Sequence, residues 1–498
     1  MILKIFKKPV KSNLIPFLIG ICISLIVSLD PFITNYLHIG YLKHIPYSFT
    51  ILVLISTICL YLIHINLEKV WKRVIPILLV SLIISDQIKG LIPIAVDPAD
   101  IVVLSAFIIW LVKNLMNEDS RVRWSKFDLL ILGLILLAFL SMINAGQIPY
   151  VRLAKGLRCF AVAFIVAKLI TTKDNLYLFI KSLIIIISIS AILGILQEIL
   201  FVQTGIIFPP LPQRFNAINI ENMMLRISAL AGVTQDFANT LTITLTIILF
   251  ILLFPTVRDL KKSIFLLIAF LLIAIALYLT NTKPTWLAFI ITALIGLFLK
   301  RPSYSIHFIM GLSFLSILSY FTGILAKITD LFYSEVSLMG DIAYRTEMIK
   351  LAIEASLARH PFIGIGIERS NIYIANPYFW PPHNTFVQIF AEIGIIGFII
   401  YLSMLLYLII RMLTVILIVK RGDDKTIAIS LLMGLFSLII YGQSDPTFLR
   451  LFPWIYFGLV ESAILILGGE QSHPKSDLVG YGSQKNLASC NYKDVRLK

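Results

Sequence analysis

The chain has 498 residues, 59% of them hydrophobic and only 14% charged, a balance that no soluble core can bury and that places it among membrane proteins. Its formal charge of +15 does not mark a nucleic-acid binder, because the basic residues lie scattered in short loops instead of on one domain. Cys22, Cys59, Cys159 and Cys490 have no C-x-x-C spacing, which argues against a disulfide framework and a cysteine metal site.

A helix that crosses roughly 30 Å of hydrocarbon needs about 20 mostly apolar residues. Runs of that kind recur at 13–29, 47–65, 74–92, 99–115, 127–143, 157–170, 176–201, 236–254, 263–279, 284–299, 304–322, 386–410, 426–442 and 451–467. They predict an all-α polytopic membrane protein, a helical bundle of about 12–14 transmembrane helices. The first run follows Lys4, Lys7, Lys8 and Lys11 and has no A-x-A-like site, so it reads as a signal anchor. Basic clusters then mark alternate links: Lys69, Lys72 and Arg73; Arg121, Arg123 and Lys126; Arg258, Lys261 and Lys262; Lys300 and Arg301; Lys420, Arg421 and Lys425. The positive-inside rule puts these links, and both termini, in the cytoplasm. Four segments follow: N-terminal membrane helices over 1–322, an extracytoplasmic loop over 323–385, C-terminal membrane helices over 386–467, and a tail over 468–498 whose composition predicts cytoplasmic disorder.

The same count places 202–235, 280–284 and 323–385 on the outer face. A link of some sixty residues is long enough to carry function. These outer segments hold Arg214, Arg226, Lys283, Arg345, Lys350, Arg359 and Arg369 against the topological bias, and an anionic ligand is the natural reason. Within the long loop, Ile342 to His360 shows helical spacing of Tyr344, Met348, Leu351, Ala352 and Ala355. That predicts an amphipathic helix lying in the membrane interface, apolar side down, and stopped by Pro361. Gly364 and Gly366 suit a close backbone turn. His383 and Asn384 then open the apolar run that contains Glu392, Gly394 and Gly397. The two later glycines suit close helix contact, and Asp236 suits a helix cap first and the orienting of a basic residue second. Asp423 and Asp424 read as a solvated turn.

The string His383-Asn-Thr-Phe-Val-Gln-Ile-Phe-Ala-Glu392-Ile-Gly394-Ile-Ile-Gly397, preceded by Arg345 and by His360-Pro-Phe-Ile-Gly-Ile-Gly366, resembles the signature of the O-antigen ligase and polymerase superfamily. Arg226-Ile-Ser-Ala229 resembles its Arg-x-Ser-Gly stretch, with Ala229 in place of Gly. Thr280-Asn-Thr-Lys283 stands where the family has Thr-x-Ser-Arg, and Lys cannot make the bidentate fork of Arg. The resemblance implies a glycosyltransferase of lipopolysaccharide biosynthesis. Its donor is a glycan on undecaprenyl pyrophosphate, and its acceptor is a hydroxyl of a glycan or of lipid A core, outside the inner membrane and among membrane lipids. It implies His383 as general base, Arg226, Lys283 and Arg345 on the pyrophosphate, and Asn384 and Glu392 in support. No cofactor or metal is expected, since H-E-x-x-H and D-x-D sets and a Gly-rich phosphate loop are absent from the outer loops. A polymerase extending the repeat unit would use the same motif, as would protein O-glycosylation. A transporter or flippase is the rival from another class; it calls for midplane charges, broken helices or an internal repeat.

Overall fold

The computed structural model describes residues 124–144, 150–205, 218–219, 224–229, 233–254, 260–300, 338–369, 382–420 and 422–469, with isolated positions near 103–110 and 306–313. The runs at 13–29, 47–65 and 74–92 lie outside these residues, as do most of 99–115 and 304–322, Arg214, and nearly all of the tail. The described chain forms helices α1 Lys126–Asn144, α2 Tyr150–Leu169, α3 Lys173–Thr204, α4 Thr234–Leu253, α5 Leu260–Leu279, α6 Lys283–Lys300, α7 Leu338–Arg359, α8 Thr385–Ile418, α9 Asp423–Tyr441 and α10 Leu451–Leu467. Between α3 and α4, β1 (Ile218–Asn219) pairs antiparallel with β2 (Met224–Leu225). Among the described residues, six helices are long and apolar enough to cross a membrane: α1, α3, α4, α5, α8 and α9. The protein is an all-α, multi-pass membrane protein.

Local chemistry sets the helix ends. A capping box starts α1: Ser125 N donates to Asp128 Oδ2 (2.7 Å) and Asp128 N donates to Ser125 Oγ (3.2 Å), which satisfies two end amides reciprocally. Thr172 caps α3 by accepting from Asn175 N. Gly205 closes it in the left-handed region, its N–H bonded to Phe201 O. Asp236 does not cap α4. The cap position there is Val233, with no side-chain bond, and the Asp236 carboxylate points to another helix.

Four close helix pairs make the bundle: α10 on α2, α9 on α4, α8 on α1, and α5 on α3. Gly458 lets α10 come against the Ala163 carbonyl of α2, the small-residue approach that replaces hydrophobic drive inside lipid. Around this crossing Phe160, Tyr401, Phe448, Trp454 and Phe457 stack edge to face, with Phe160 and Trp454 centroids 4.8 Å apart. One end of the bundle closes on ion pairs. Asp128 of α1 meets Lys168 of α2, and Asp424 of α9 takes Lys173 (2.6 Å) and the Tyr177 hydroxyl (2.8 Å) of α3. Asp424 therefore clamps two helices and is no merely solvated turn. The opposite end, where α4, α8 and α10 begin and α9 finishes, holds the motif residues.

There α8 is not one straight helix. Gly394 has φ 74 and ψ −179 inside it, so residues 385–393 and 395–418 are separate helical pieces; at 1.5 Å per residue the second is about 36 Å long and spans the hydrocarbon by itself. A break frees backbone groups that lipid cannot satisfy. The turn after α7 supplies the partners: Ile365 N donates to Ala391 O (2.9 Å) and Gly366 N to Glu392 O (3.1 Å), while Ile395 N and Ile396 N donate to Pro361 O (2.9 Å) and Phe362 O (3.3 Å). A Cβ on Gly364 would overlap the Glu392 main chain, and one on Gly394 would overlap that of Phe362. Gly394 thus serves a backbone splice, not the helix contact expected of it. The buried face of α7, Met348 and Ala352, packs on Ala391 of α8, so this helix lays its apolar side on protein instead of on lipid. The family's two motif strings are the two halves of this splice.

Candidate active site

His383 sits two residues before the start of α8. The helix begins at Thr385 because the Asn384 side chain accepts from Phe386 N (2.9 Å) and Val387 N (3.1 Å), a cap worth about 1 kcal/mol. With Asn384 as the cap, the His383 imidazole is left to face sideways, toward the link between α9 and α10. Thr385 stitches that link to the helix start. Its N–H donates to Gly442 O (2.7 Å), its hydroxyl donates to Asp445 O (2.7 Å) and it accepts from Thr447 N (2.8 Å). Asn384 Nδ2 adds a bond to Gln443 O (3.1 Å). The outcome is a fixed corner in which His383 Nδ1 stands 4.0 Å from Asp445 Oδ1, both side chains largely shielded from solvent.

Asp445 is buried. Burial raises its carboxyl above the usual carboxylate range, and Arg450, the Tyr441 hydroxyl and Arg345 each draw it back down. Arg345, carried by α7, reaches the same link and donates from Nη1 to Ser444 O (3.0 Å). Arg450 Nη1 meets Asp236 Oδ2 of α4 at 2.7 Å, and the Tyr441 hydroxyl donates to Gln235 O (3.2 Å).

Arg226 is tied to the first turn of α4 and to the turn before Lys283. Arg226 Nε donates to Thr280 O (3.4 Å), in the turn that leads to Lys283 at the start of α6. The Thr234 hydroxyl at the start of α4 donates to Arg226 O (3.2 Å). The Arg226 segment is braced from α3, where Gln197 Oε1 accepts from both Ser228 N and Ala229 N (3.2 Å each). Ala229 lies at φ 46, a region that favours glycine, which accounts physically for the family's Gly at that place.

The other sequence candidates fall elsewhere. Glu392 is fully buried at the splice, where its Oε1 accepts from Gln388 Nε2 (3.1 Å) and its main-chain carbonyl accepts from Ser141 Oγ as well as Gly366 N. Arg369 is buried behind the splice turn, and its neighbour Glu368 pairs with Lys155 of α2. Lys350 is exposed beside Glu354. His360 ends α7, its N–H bonded to Ser356 O.

Sequence reading passed over Asp445, Tyr441 and Arg450. A signal was present: Gln443-Ser444-Asp445 is a polar strip between two apolar runs, on the face assigned to His383. It was masked because the carboxylate meets the histidine only after two helices have crossed the bundle.

A histidine, a buried carboxylate and an arginine thus gather at one end of a multi-pass helical bundle. Residues 268–402 match the O-antigen ligase family model, so this region is similar to the superfamily its motifs resemble, which supports an O-antigen ligase or polymerase type of function in general terms. The matched segment holds Lys283, Arg345, His383 and Asn384; Arg226 and Asp445 lie outside it. No curated protein matches the chain.

Proposed function

We propose that the protein is a glycosyltransferase that moves a glycan from undecaprenyl pyrophosphate to an acceptor hydroxyl of a glycan or lipid A core, on the outer face of the bacterial inner membrane. The acceptor oxygen attacks the glycosidic carbon of the donor, and its proton passes to His383. The carbon–oxygen bond to the diphosphate breaks, and undecaprenyl pyrophosphate leaves with the electron pair. An imidazole titrates near neutrality in water, which suits a base that must pick up and release a proton in each turnover. Asp445 orients the ring and offsets the charge the ring gains. Arg345, Arg226 and Lys283 neutralise the developing charge on the leaving group, the usual largest contribution to such a barrier. Three side-chain cations make a metal unnecessary. Both termini lie in the cytoplasm on this reading, with the basic links.

The single observation that carries it is the corner itself: His383 faces Asp445 across a link that Arg345 also grips. The test uses the purified full-length protein in nanodiscs with lipid-linked donor extracted from cells that lack it. Loss of donor with glycan appearing on a separate acceptor, undiminished by EDTA, is the expected result. Donor that lengthens on itself would move the assignment to a polymerase, and donor that stays unchanged with every acceptor would remove the assignment.

A further inference from the structure

A polar row crosses the site end of the bundle. Asp236, in the first turn of α4, holds Arg450 at 2.7 Å. Arg450 is the last residue before α10, with its N–H tied back to Thr447 O (3.0 Å), so its guanidinium belongs to the same short link as Asp445. Asp445 in turn faces His383 at 4.0 Å. Among the described residues this carboxylate meets Arg345 from α7, His383 from the approach to α8, Tyr441 from the end of α9 and Arg450 from the approach to α10, and Asp236 of α4 stands behind Tyr441 and Arg450. Along Asp236, Arg450, Asp445 and a protonated His383 the signs alternate.

Building on the role given to His383 above, we propose that the Asp236–Arg450 ion pair is a positioning element that governs how readily His383 and Asp445 take up the acceptor's proton. Neither residue needs to touch substrate. A proton taken up by two coupled groups belongs to the pair, not to one member. A nearby cation lowers that pair's proton affinity and a nearby anion raises it. In the wild-type protein Asp236 and Arg450 largely cancel, and each single substitution leaves the other uncompensated.

The signs are therefore opposite. With Asp236→Asn, the acid limb of the kcat–pH profile moves down by roughly half to one pH unit, the scale of a partly screened charge one side chain away. With Arg450→Gln it moves up by a similar amount. The double variant returns to within about 0.3 pH unit of wild type, and Asp236→Glu keeps the wild-type profile. The last two keep the local charge balance and so guard against an effect of misfolding. The measurement is donor turnover by full-length protein in nanodiscs, at saturating extracted donor, between about pH 5 and pH 9. Limbs that stay in place, move in the same direction, or separate further in the double variant would overturn the proposal while leaving an inactive His383→Ala, and the proposed function, intact. A His383→Ala protein with the wild-type limb would overturn both.

Discussion

The splice at Gly394 and the corner at His383 lie on one helix, within a few turns of each other, yet they are made of different materials. The splice joins main chain to main chain: four backbone bonds between residues 361–366 and 391–396, with Gly364 and Gly394 giving the room. The corner ties side chains of Asn384, Thr385 and Arg345 to the main chain of the link between α9 and α10, and sets the His383 ring against the Asp445 carboxylate. Glycines of the motif thus build the framework, while its polar residues stand at the end where the chemistry is assigned. Substitutions in the two regions should fail in different ways.

The sharpest way to break that contrast is Gly394→Ala. Its φ and ψ belong to a region essentially restricted to glycine, and the new Cβ meets the Phe362 main chain, so a loss of about 3 kcal/mol or more is expected. Detergent-solubilised protein should be recovered in low yield with a markedly lower melting temperature, and a normal melting curve would dissolve the distinction. His383→Ala should do the reverse: unchanged melting, with kcat down by about 10²–10⁴. Near-normal turnover would remove His383 as the base. Arg345→Ala should raise the donor KM by about tenfold, since a charge-assisted bond to the diphosphate is lost. Arg369→Ala, a change at a buried arginine away from the corner, should lower stability instead; equal effects on donor use would undo the ranking of these cations. The smallest effect is a gain: Ala229→Gly relieves a left-handed alanine and should stabilise the fold by about 1 kcal/mol, read as a rise in melting temperature with activity retained.

Much of the architecture was legible in the sequence. The run at 127–143 became α1 Lys126–Asn144, and the run at 451–467 coincides with α10, because a long apolar stretch in lipid has hardly any alternative to a helix. The position of His383 at a helix start was readable from local signals, since Asn is a strong cap. Three things were not. An acid in a first helical turn suits a cap before it suits a basic partner, and nothing local names that partner: Asp236 reaches Arg450, just before α10. Gly394 sits in an unbroken apolar run, so nothing local announces that the helix parts there. Asp445 acquires its partner only through tertiary crossing.

The splice also constrains how the protein can be made. Residues 360–366 leave the ribosome before the segment that completes them, and the upper piece of α8 cannot be handed to the bilayer as an ordinary spanning segment, because its amides and carbonyls near Gly394 would meet bare hydrocarbon. Turn and half-helix complete each other's main-chain bonding, so the two should gain full protection from amide exchange together, as one cooperative unit.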